Sequence, residues 1–123
     1  MNTDYGHPDI LAALDHQDRK DLENDLLATS ESVYHRNVAA IQMEAHAKIQ
    51  EYKDKSIFGG EMFISENPGT NVEQVNSAVM KNIKDMMQNV HMRTALAIFH
   101  ERQEKDRRDE GVRHYCSAYP IES

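Results

Sequence analysis

Glycine and proline are missing from two long stretches of this chain, residues 9–58 and 70–110, and that absence constrains the fold more than any other feature. All five glycines (6, 59, 60, 69 and 111) and all three prolines (8, 68 and 120) lie outside them. In a helix interior glycine costs ~1 kcal/mol and proline ~3 kcal/mol relative to alanine. Stretches free of both can therefore run as helix from end to end.

The second stretch carries the clearer pattern. Val72, Val75, Val79, Ile83, Met86, Val90, Thr94 and Ala97 recur every three or four residues, the spacing of one apolar helical face. Thr70-Asn71-Val72-Glu73 fits a capping box, with the Thr70 hydroxyl and the Glu73 carboxylate each satisfying an orphan amide. Gly111 suits the left-handed position just past a helix end. These signals predict a helix over about 71–110, roughly 60 Å long at ~1.5 Å per residue.

In the first stretch Leu26, Ser30, Tyr34, Val38, Ile41, Ala45, Ile49 and Tyr52 also share one face. Residues 15–21 contain no apolar side chain, and Asp15 or Asp18 can open a new helix there. The expectation is a short helix over about 8–15, then a long one over about 18–57.

Residues 58–70 read as the interhelical loop. This loop is unusually apolar, with Phe58, Met62, Phe63 and Ile64 following Ile57. Such side chains either fold back to plug the end of the helix pair or contact a partner. An antiparallel hairpin about this loop sets residue i near residue 127 − i. That register brings Asp18, Asp21, Glu23 and Asp25 near Arg102, Lys105, Arg107 and Arg108, and Glu101/Lys105 and Glu104/Arg108 sit at i, i+4 spacing.

A second apolar face follows from the same geometry. At 100° per residue, Met92, Ala95, Leu96 and Phe99 fall opposite the Val72–Ala97 stripe. A single partner helix cannot cover both sides. Either another part of the chain, such as Ile10, Leu11 and Leu14, covers it, or it is a subunit interface. Met43, Met80, Met86, Met87 and Met92 are expected to pack in the core, with an adaptable binding surface as the other use of such residues.

With 123 residues the chain forms one helical domain, 1–7 and 112–123 being flexible or docked tails. The formal charge of −7 disfavours both nucleic-acid phosphates and anionic lipid. No apolar run is long enough for membrane insertion, and no cleavable signal is read at the start, so a cytoplasmic location is the default and signal-independent export is compatible with it. The single cysteine, Cys116, excludes an internal disulfide, and nearby Arg113 and His114 could lower its pKa.

Chemistry finds little purchase. No glutamate has histidine three residues on, and no two histidines are four apart. Carboxylate-bridged metal bundles rely on the first of these spacings. Glu31/His35 and His100/Glu104 offer two donors each, a weak signal for which solvated surface histidines are the better account. Gly59-Gly60 is not followed by Lys-Ser/Thr, so no phosphate loop is present. No catalytic residue, cofactor or metal site is expected.

The reading is an all-α antiparallel hairpin that dimerises into a four-helix arrangement. Its expected role is non-enzymatic protein–protein interaction, as a homo-oligomer or as a small subunit of a hetero-complex. Met92, Ala95, Leu96, Phe99, Phe58, Met62, Phe63 and Ile64 are the expected interface. A small acidic chaperone or secreted helical component of a secretion-type system is the alternative, and a metal- or thiol-dependent enzyme the third.

Overall fold

The computed structural model describes residues 14–117, and these are helical apart from a two-residue lead-in and one short connector. Helix α1 spans His16–Glu66 (51 residues) and helix α2 spans Val72–Ser117 (46 residues). Of the short helix expected over 8–15, residues 8–13 lie outside the described residues, as do Ile10 and Leu11 of the expected covering segment, while Leu14 and Asp15 are not helical. By its contacts the chain divides into two compact units, residues 1–37 with 100–123, and Val38–Phe99.

Each helix end has a local cause. Asp15 caps α1, its Oδ1 accepting from the Asp18 amide at 2.8 Å. At the other end the Asn67 amide and its side-chain Nδ2 both donate to the Phe63 carbonyl, at 3.0 and 2.9 Å. Pro68 then stops the helix. Gly69 adopts φ +88°, and the Thr70 amide donates to Asn67 O at 3.2 Å, which is the pattern of a Pro-Gly type II turn.

Asn71, rather than Thr70, caps α2. Its Oδ1 accepts from the Gln74 amide at 3.3 Å, while the Thr70 hydroxyl donates back to Asn67 O at 2.6 Å. The expected Thr70–Glu73 capping box does not form, because the turn has already engaged the threonine.

Two expected boundaries and one expected cap are corrected. The loop expected over 58–70 is helix as far as Glu66, so Phe58, Met62, Phe63 and Ile64 sit on α1. The end expected at 110 is passed without a break, and α2 continues through Gly111 to Ser117. Among the described residues only Gly69 has a positive φ, so Gly111 is not a left-handed cap.

The register is corrected with them. Within Val38–Phe99 a Cβ on Gly60 would meet Val79 Cγ2 at 2.8 Å and Val75 Cγ1 at 3.8 Å. Within the unit of 1–37 and 100–123, Asn37 Nδ2 donates to Glu101 Oε1 at 2.8 Å and Arg108 Nε to Ser30 Oγ at 3.3 Å. In both units, helices that run antiparallel pair residues whose numbers add to about 138 rather than 127. The connector is residues 67–71, centred on Gly69 and not near Ile64, and moving the midpoint about five and a half places moves every pairing by about eleven.

The apolar stripes themselves are as expected. Leu26, Tyr34, Val38, Ile41, Ala45 and Ile49 are half-buried on α1, and Ser30 is buried. On α2, Val75, Val79, Met86, Val90, Thr94 and Ala97 are half-buried and Ile83 is buried at 2% exposure. Val72 and Tyr52, at the margins of the two stripes, are exposed. Two helices share a single seam, so the fully buried hydrophobic set among the described residues is Leu22, Ile83 and Cys116 alone.

Candidate functional site

Within Val38–Phe99 the expected interface residues lie on helical surface, and most stay open to solvent. Met92, Leu96 and Phe99 are 61%, 55% and 57% exposed, and Ala95 between them is exposed as well. Their spacing of i, i+4 and i+7 places the three large side chains on one side of α2. Phe58, Met62 and Phe63 on α1 are also exposed, and Ile64 is half-buried. The apolar side chains of 57–64 do not plug the end of the pair: once this segment is helix, its side chains radiate around it.

The eight residues do not form one surface. In the observed register Phe58 lies level with Met80, 16 residues from Leu96 along α2. That is roughly 24 Å at the helical rise. There are thus two separate patches, one around Phe58 and Met62 and one along Met92–Phe99.

Two further methionines are exposed although core packing was expected of them. Met43 is 73% exposed and Met80 60%. Of the five bundle methionines only Met86 and Met87 turn partly inward. At ~200° around α1 from both Ile41 and Ala45, Met43 points away from the seam.

Open grooves also lie within this unit. One of about 640 Å³ lies over Gly59 and Gly60 between Phe63 and Val75. Another, about 330 Å³, runs between Tyr52 and Met86 with Lys48, Lys55 and Arg93 at its edge. Lys55 holds the exposed Glu51 carboxyl below its usual range through a 2.9 Å contact. No nucleophile–base pair converges on either groove.

The other unit, residues 1–37 with 100–123, holds a group of covered polar side chains. Lys105 Nζ contacts Asp109 Oδ2 at 2.6 Å and reaches Glu31 Oε1 on α1 at 3.4 Å. Their side chains are largely covered, Lys105 being 14% and Asp109 10% exposed. The Lys105 ammonium holds the Asp109 carboxyl below the usual carboxylate range against the opposing effect of burial. Asp109 in turn raises Lys105. The Ser30 hydroxyl, which also favours the charged Asp109, completes no hydrogen bond to the buried Oδ1.

The i, i+4 pairs expected along this segment are replaced. Glu101 takes Asn37, Glu104 pairs with Arg107, and Arg108 turns to Ser30. Arg102 lies 5.8 Å from the Tyr34 ring and 3.6 Å from Asp106. The cations expected to cross the seam do reach α1 at Lys105 and Arg108, but their counterparts are Glu31 and Ser30 rather than Asp18–Asp25.

Cys116 is buried, and burial pushes its thiol up, helped by Glu23 and opposed by Arg19. The lowering that Arg113 and His114 could have produced does not occur. His35 contacts Glu31 at 3.2 Å on open surface. Among the described residues no three histidine, cysteine, aspartate or glutamate side chains are grouped to hold a metal ion. Nor is any helix there long and apolar enough to cross a membrane.

Comparison with protein-family models, with curated proteins and with solved structures finds no match.

Proposed function

We propose that this protein works by association, as a non-enzymatic helical hairpin that binds a second copy of itself or serves as a small subunit of a larger assembly. The observation that carries the reading is the Met92–Leu96–Phe99 side of α2, where three large apolar side chains are each more than half exposed. Leaving such a row in water forgoes ~25 cal/mol for every Å² that a partner could cover. The Phe58–Met62 patch on α1 supplies a second surface for the same purpose.

The chemistry of the described surface supports binding rather than catalysis. The grooves are open, their polar groups are scattered lysines, glutamates and amides, and the one thiol is buried. In the four-helix arrangement two hairpins would each cover the other's second face.

Co-expression of two differently tagged copies tests the reading. Each tagged copy is expected to carry its differently tagged twin through purification. Leu96→Asp is expected to abolish that while leaving the helix content intact. Failure of the copies to co-purify, together with stoichiometric recovery of a different protein whose capture needs Leu96 or Phe58, moves the reading to the hetero-complex. Recovery of neither refutes it.

A further inference from the structure

We infer that the partner of the Met92–Phe99 face is a second copy docked antiparallel, with a two-fold axis passing between Ala95 and Leu96. The inference rests on the associative reading above and adds a partner and a geometry to it. A two-fold contact is isologous: whatever residue i touches on the other copy touches residue i's equivalent in return. A face that binds its own copy must therefore be complementary to itself read backwards.

The face of α2 has that property. Antiparallel helices centred between 95 and 96 bring residue i against residue 191 − i. Met92 then meets Phe99, a thioether against an aromatic ring. Leu96 falls beside Ala95, so a large side chain enters the space a small one leaves. Outward along the sequence His91 answers His100 and Gln88 answers Gln103, the two amides each able to donate and to accept. From Gln88 to Gln103 the line through Met92, Leu96 and Phe99 carries no charged residue, and Arg102 lies at its flank with His91.

Charge selects the direction. At helical spacing the stripe extends to Lys81 on one side and Glu110 on the other. Antiparallel copies set lysine against glutamate twice, whereas parallel copies set lysine on lysine and glutamate on glutamate. Asp85 meets Asp106 in the antiparallel case, and Arg102 already lies 3.6 Å from Asp106. Four apolar side chains fall short of the about 800 Å² per partner of a standard interface. The dimer accordingly forms and dissociates readily with concentration.

Cysteine pairing reads the axis directly. Ala95→Cys, Gln88→Cys and Gln103→Cys are each placed in the full chain carrying Cys116→Ala, with circular dichroism confirming helix content. Mild oxidation is expected to link Ala95→Cys to itself at least tenfold faster than Gln88→Cys or Gln103→Cys alone, whose equivalents lie roughly 22 Å apart along the axis. A mixture of Gln88→Cys and Gln103→Cys is expected to link efficiently. Self-linking of Gln103→Cys as fast as that of Ala95→Cys overturns the antiparallel axis. Light scattering on the reduced proteins reports association independently, so a dimer with the wrong linking pattern defeats the geometry alone, and a monomer at every concentration defeats both it and the self-association reading.

Discussion

Gly60 of α1 approaches α2 so closely that a Cβ in its place would stand 2.8 Å from Val79 Cγ2, while its neighbour Gly59 has nothing within 4 Å. Adjacent glycines in one helix thus stand in opposite situations. Gly60 is required by packing, and Gly59 costs helix propensity with no contact to offset it. Gly60→Ala is expected to destabilise by ~1–3 kcal/mol through overpacking. Gly59→Ala is expected to stabilise by ~0.5–1 kcal/mol. Urea unfolding of both variants checks the pair, and equal effects of the same sign would contradict the close approach at Gly60.

The Lys105–Asp109–Glu31 group makes an opposite claim about charge. Exposed i, i+4 pairs such as Lys48–Glu44, with side chains 62% and 70% exposed, contribute little. Lys105 is mostly covered, and removing it strands the carboxylate of Asp109. Lys105→Met is expected to lower the thermal midpoint clearly more than Lys48→Met. Equal midpoints would place Lys105 in solvent.

The same group sets a pH window. Asp109 is depressed below its ordinary 3.8 in the folded chain. Its contribution is therefore complete above pH ~4 and lost as pH falls through the lower folded value. Lys105 is raised above its ordinary 10.5, so its contribution is complete below that pH and lost as pH rises through the higher folded value. Between about pH 5 and 9 this group makes stability flat. The difference in unfolding midpoint between the wild type and Asp109→Asn, followed against pH, is expected to be constant there and to shrink below pH ~4.

Cys116 is expected to resist alkylation. Burial and Glu23 raise its thiol above the ordinary 9.0, so at pH 8 the thiolate is scarce as well as covered. Iodoacetamide is expected to modify the native protein at least tenfold more slowly than the urea-unfolded chain. Equal rates would mean that this end of α2 frays.

What the sequence made legible was the seam. Ile41, Ala45, Ile49, Val79, Ile83 and Val90 repeat at helical spacing because only one side of each helix meets the other, and that periodicity survives without knowledge of the partner. The turn was harder to place. Gly59-Gly60 reads as a break on propensity alone, yet a close helix contact needs glycine at 60, and tertiary packing overrides a local cost of ~1 kcal/mol. Pro68-Gly69, with Asn67 and Asn71 on either side, holds all the chemistry a tight connector requires.

The misplaced turn then hid what depends on register. Glu31, Ser30 and Tyr34 face Lys105, Arg108 and Arg102 only when facing residues add to about 138. The exposed row Met92–Leu96–Phe99 was visible without the register, because it follows from one helix's own periodicity. The outward position of Met43 follows from the same rule, since it lies two residues, or ~200°, from both Ile41 and Ala45 on the seam.

Molar mass as a function of concentration, by light scattering after size exclusion, tests the associative role most directly. The wild-type chain of 14.2 kDa is expected to rise toward twice that mass with increasing concentration. Leu96→Asp is expected to stay at the monomer mass with unchanged helix content. A wild-type chain that keeps the monomer mass at millimolar concentration, or a Leu96→Asp variant that associates as the wild type does, would contradict a self-associating Met92–Phe99 face.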